Sequence, residues 1–164
     1  MAQKFKTLEN GRDKLKEATV VSSGVSNAGE IVGLDSTGRI DDSLMPIGIA
    51  ADVAVMECSE DLNAGNYVNI YNASGEQKCR LADASNDRPA HGFVKEAFTT
   101  GGDAKIYFEG ANDDLSGLTI GARYYLNTAG GPSATPRSSG IHQFLGIAIS
   151  ATSINTDIDD ETVL

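Results

Sequence analysis

Tyr67-Val-Asn-Ile-Tyr71 and Lys105-Ile-Tyr-Phe-Glu109 decide the fold. Each is short and carries β-branched and aromatic residues at alternating positions. That is the period of a strand, whose successive side chains point to opposite faces. Outward from these two, the same texture recurs at 47–57, 77–82, 92–98, 122–127 and 143–151. These segments are rich in Val, Ile, Tyr and Phe and are separated by Gly, Asn, Asp and Ser. Gly75 and Gly101-Gly102 suit hairpin turns, because glycine accepts positive φ without a Cβ clash. No long segment of 46–158 has helical periodicity. The expectation for 46–158 is one compact all-β domain, a small β-barrel or β-sandwich.

A faint repeat runs through that body. Leu62-Asn-Ala-Gly65 precedes the strand at 67–71, a turn at Gly75 and then Gly92-Phe-Val94. Leu118-Thr-Ile-Gly121 precedes Tyr124-Tyr-Leu-Asn127, a turn at Gly130-Gly131 and then Gly146-Ile-Ala148. Each half reads as a strand, a hairpin and a returning strand, and two packed halves give a barrel or sandwich.

Residues 1–45 differ. They are small, polar and rich in Gly and Ser, with Phe5 the only aromatic, and could not bury a core alone. Residues 13–18 suit one or two helical turns. Ile31-Val-Gly-Leu34, Asp35-Ser-Thr-Gly38 and Arg39-Ile40 suit a short hairpin. This stretch reads as an extended N-terminal arm that gains order by lying on a partner. Its apolar contacts are expected at Phe5, Leu8, Leu15, Val20, Ile31, Val32, Leu34 and Ile40. Lys4, Lys6, Lys14 and Lys16 are expected to meet an acidic surface. The bland alternative is that the first ~20 residues fray, as termini commonly do. At the other end, 155–164 carries four acids and no base and reads as a solvated end, with 159–164 as an acidic tail.

With 164 residues and 40% hydrophobic content, the chain needs neither metal nor disulfide to fold. No apolar run approaches the ~20 residues of a membrane-spanning helix, and the N-terminus has no apolar centre of a secretory signal. The expectation is synthesis in the cytosol and no membrane partner. The net charge of −10 argues against nucleic-acid binding, which needs clustered Lys and Arg. Residues 1–17 hold five basic and three acidic residues, net +2, which leaves −12 for the rest. Cys58 and Cys79 form no C-x-x-C pair and have no His at zinc-ligand spacing. They read as reduced, partly buried thiols.

Residue patterns for catalysis are weak. His91 and His142 each precede a strand, and no serine lies in a G-x-S-x-G elbow. Asp35-Ser-Thr-Gly38 is one residue too long for an aspartic-protease motif and has no second copy. Asp157-Ile-Asp-Asp-Glu161 and Asn112-Asp-Asp114 lack calcium-loop spacing. No phosphate loop or dinucleotide fingerprint occurs. The expectation is a non-enzymatic protein without catalytic residues, cofactor or metal.

Gly29-Glu-Ile-Val-Gly-Leu-Asp-Ser-Thr-Gly-Arg-Ile-Asp-Asp-Ser-Leu-Met-Pro46 resembles a G-x-I-V-x-L-D-x-x-G-R-I-D-x-S-x-M-P passage of tailed-bacteriophage virion proteins. Related phrases occur in tail fibres. Gly121-Ala-Arg-Tyr-Tyr-Leu-Asn-Thr-Ala-Gly130 with Gln143-Phe-Leu-Gly-Ile-Ala-Ile-Ser-Ala-Thr152 is similar to a phage structural ending. Ala90-His-Gly-Phe-Val94 and Ile106-Tyr-Phe-Glu-Gly110 resemble segments of small phage head proteins. The family most resembled is the capsid decoration, or cement, proteins. The resemblance implies a β-rich oligomer, often a trimer, on the outer capsid surface of the virion, bridging major capsid protein subunits. The rival expectation is a tail fibre or adaptor component that binds tail proteins or the host surface.

Overall fold

The computed structural model describes residues 3–45 and 52–164. The chain divides into two compact units, 1–50 and 51–164. The described residues form an all-β structure, as expected.

The first unit holds one hairpin, β1 (Lys4–Glu9) and β2 (Arg12–Glu17). Asn10-Gly11 closes it, with φ of 50° and 72°. Two consecutive positive φ values define the tight turn whose twist matches paired strands. The helical turns expected at 13–18 are therefore corrected: Arg12–Glu17 is a strand. Its six residues are all exposed, so no apolar alternation marks it in the sequence. The short hairpin expected at 31–40 is also corrected. The turn is present, with Asp35 N–H donating to Arg39 O at 2.8 Å. Its flanks do not pair with each other. Val32 instead bridges Thr19 in parallel, with Thr19 N–H donating to Ile31 O at 2.8 Å.

The second unit begins with β3 (Val53–Glu57), β4 (Tyr67–Ala73), β5 (Glu76–Leu81), β6 (Gly92–Phe93) and β7 (Asp103–Tyr107). These pair in the order β3-β7-β6-β4-β5. There follow β8 (Gly110–Asn112), β9 (Arg123–Leu126), β10 (Pro132–Ser133), β11 (Ile141–His142), β12 (Phe144–Ala148), β13 (Ile154–Thr156) and β14 (Thr162–Val163). A second five-stranded sheet runs β8-β13-β12-β9-β10, and β11 pairs with β14. Among the described residues the second five-stranded sheet is open, and the edges of the first meet at one isolated bridge, Cys58 to Cys79. Without a closing ladder the two sheets suit a sandwich more than a closed barrel.

The two sheets are the same motif twice. β3, β7, β6, β4 and β5 correspond in chain order and in sheet order to β8, β13, β12, β9 and β10. The repeat read from the glycines extends to individual hydrogen bonds. Gly65 N–H donates to Val94 O at 2.8 Å, and Gly121 N–H to Ala148 O at 2.8 Å. Val94 N–H donates to Asn66 O at 3.0 Å, and Ala148 N–H to Ala122 O at 3.0 Å.

Alternation along the strands sorts side chains into three cores. Val68 of β4 and Ile106 of β7 point into a first core with Met56, Leu62, Cys58 and Cys79. Tyr67 of β4 and Phe93 of β6 point the other way and meet Leu126 and Leu145 from the second sheet. Tyr124, Leu118, Ala148 and Ile154 fill a third core on the second sheet. Both cysteines are free and fully buried, more deeply than expected.

Strand limits moved. The expected strand at 47–57 is described only from residue 52, and β3 starts at Val53. The strand expected at 92–98 stops at Phe93, because Val94 turns to bond Asn66. The end at 155–164 is not simply solvated. Thr156 is buried in β13, and β14 pairs His142 with Thr162.

Candidate functional site

The first unit lacks a hydrophobic interior. Of its described residues only Gly33 is buried, where a Cβ would lie 2.9 Å from that of Ala18. Its apolar side chains face outward. On the hairpin, Lys6 lies opposite Leu15 and Leu8 opposite Asp13, which puts both leucines on one face. Leu8 is 70% exposed and Leu15 74%. Phe5, on the other face, and Val20 are half-buried. Beyond the hairpin, Ile31, Val32, Leu34 and Ile40 are all exposed. Sequence reading missed Val21, Val25 and Met45, which are exposed as well, Val25 at 92%. The Gly- and Ser-rich surroundings of Val21 and Val25 gave no period to pick them out.

All four lysines singled out in the sequence have acidic partners. Lys4 lies 3.6 Å from Glu17, directly across the ladder. Lys6 pairs with Asp13 and Lys14 with Glu9. Lys16 reaches Glu30 at 2.7 Å, which raises its pKa, while the Lys14 ammonium lowers that of Glu9. Such exposed pairs contribute little to stability, because water and salt screen them and holding two long side chains costs entropy.

The turn beyond the hairpin is held by one carboxylate. Asp35 Oδ1 accepts from Thr37 N–H, Thr37 Oγ1–H and Arg39 N–H at 2.8, 2.7 and 2.9 Å. The Arg39 backbone bond is the largest influence holding its pKa below the usual carboxylate range.

The histidines sit in the second unit, in separate settings. His91 is exposed overall, and its Nδ1 accepts from Ile70 N–H at 2.9 Å. Desolvation lowers its pKa against the pull of Glu161. It lines a groove of about 710 Å³ with Glu109, Asp157, Asp159, Asp160 and Glu161. His142 packs on Tyr125, ring centroids 5.0 Å apart. Among the described residues neither imidazole bonds a serine hydroxyl, and Ser150 pairs with Thr152. No group of three or more His, Cys, Asp or Glu among the described residues could hold a metal ion.

No protein-family model matches the sequence, and no curated protein matches it. Among solved structures the chain is similar to the N base of head fibre gp8.5 of bacteriophage phi29. The TM-score is 0.47 at 9% identity, over 66% of this chain and 95% of that one. A likeness that slight carries no argument about what this chain does.

Proposed function

We propose that this chain is a non-enzymatic structural protein of a tailed-bacteriophage particle. It binds the outer surface of the capsid and stabilises the shell by bridging major capsid subunits. The observation that carries this reading is the exposed apolar surface of the first unit. A lone two-stranded hairpin is marginal in water. One that displays Leu8 and Leu15 on the same face suits a segment completed by a partner. Each leucine or valine buried there would contribute about 1.5–3 kcal/mol. The resemblance of 29–46 to virion passages supplies the class of partner. The acidic body, at −12 beyond residue 17, favours solubility and mutual repulsion of copies until the partner is met.

A second reading, a tail fibre or adaptor component, draws on the same passage, since its 34–46 portion also resembles segments that precede fibre domains. The test is binding to particles that lack this protein, with the full chain compared against a chain lacking residues 1–45. The proposal expects the shortened chain to keep the thermal melt of the body and to lose particle binding. Undiminished binding by the shortened chain would remove the arm from the account.

A further inference from the structure

The first five-stranded sheet curls until its two edge strands touch. Among the described residues the one bridge between those edges joins Cys58, just past β3, to Cys79 in β5. Ser59 N–H donates to Cys79 O across it at 2.8 Å. In the second sheet the corresponding edges, β8 and β10, are not bridged among the described residues. A groove of about 520 Å³ is lined by Leu118, Tyr124, Gly130 and Ser133 of that half together with Gly65 and Asn66 of the first. One half of the repeat therefore has a seam sealed at a cysteine pair.

We propose that Cys58 and Cys79 are an intramolecular disulfide site, oxidised by a small-molecule disulfide, that locks the two edges of the first sheet together. Residues bridged across neighbouring strands lie about 4.8 Å apart. That falls inside the Cα separation of about 4.4–6.8 Å that a disulfide spans. Both side chains are fully buried in the same core, so both point to the same face. Cys58 is fixed from both sides by the Gly101-Gly102 turn: its N–H donates to Gly102 O at 2.9 Å and its carbonyl accepts from Gly101 N–H at 2.7 Å. Neither thiol is committed to a strong partner. Cys58 Sγ donates to Thr99 O at 3.1 Å, and Cys79 Sγ lies 4.0 Å from Met56 O.

Burial, with Cys58 adding to it, pushes the Cys79 thiol up to about 11. Little thiolate exists while the seam is shut, so exchange proceeds when the single bridge opens or before the sheet closes. One cysteine thiolate attacks the small disulfide and expels one small thiolate. The second cysteine thiolate attacks the resulting mixed disulfide and expels the other. The two cysteines lose two electrons and two protons, and the small disulfide becomes two thiols. The inference is independent of the virion reading, since it rests on the second unit alone.

The experiment refolds the full chain from denaturant in mixtures of oxidised and reduced glutathione, blocks free thiols with an alkylating reagent and measures intact mass. Refolding keeps burial from hiding the result. The expected product is a monomer that has lost two hydrogens, takes up no alkylating reagent, carries no glutathione and melts above the reduced protein. Cys79→Ser is expected to leave Cys58 as a free thiol or a glutathione adduct. Glutathione adducts on the unsubstituted chain, cross-linked dimers or two alkylated cysteines under oxidising conditions would overturn the proposal. An internal disulfide that lowers the melting temperature would overturn the locking role.

Discussion

Gln143 is buried, and its amide does the work of a missing strand. Oε1 accepts from Ala90 N–H at 2.7 Å, and Nε2 donates to Ala90 O and Asp159 O, each at 3.0 Å. One side chain thus satisfies both backbone groups of a buried residue and ties down the segment leading to β14. Gln143→Leu keeps the approximate volume but strands those groups, so we expect a loss of about 3 kcal/mol, read by chemical denaturation. Gly146 makes a steric point instead. At φ 149° a Cβ would lie 2.1 Å from Asn155 O and 2.8 Å from Ile154 Cγ2. Its counterpart in the first half, Gly92, meets Tyr107 O and Ile106 Cγ2 at 2.6 and 2.7 Å. Both glycines stand where the returning strand passes close beneath its neighbour. Gly146→Ala is expected to cost about 3 kcal/mol in the same measurement.

Among the elements, legibility followed side-chain period. β4, β5, β7 and β9 were readable because apolar residues recur at period two or are flanked by turn glycines. β13 was missed because Ile154-Asn-Thr156 is three residues long and merges into the acidic end. β10, β11 and β14 are two residues each, too short to carry a period. The hairpin β1–β2 was hidden differently. Its strands are almost wholly exposed, so the signal was the Asn10-Gly11 turn, which the sequence reading passed over. Gly11→Ala, strained at φ 72° but clear of any neighbour, is expected to cost the hairpin about 1 kcal/mol. Amide exchange should quicken in β1 and β2 while the melt of the body stays put. Leu8→Asp with Leu15→Asp is expected to weaken particle binding at least about ten-fold with no change in that melt, since each lost leucine contact is worth about 1.5–3 kcal/mol.

The whole molecule pairs an acidic duplicated β sandwich with a small unit that displays its apolar residues outward. The apolar residues expected from sequence to meet a partner were legible because they lie in a stretch too poor to make a core. The structure keeps most of them exposed, while the identity of their partner rests on the resemblance alone. The measurement that tests the central claim most directly is copy number. On the proposed reading a phage encodes this chain; its particles are purified, and the chain is quantified by mass spectrometry against the major capsid protein. A ratio near one, or a simple fraction of it, is what a shell-coating protein predicts. A trace ratio would contradict the capsid-surface account and favour the tail reading, and absence from the particle would contradict both.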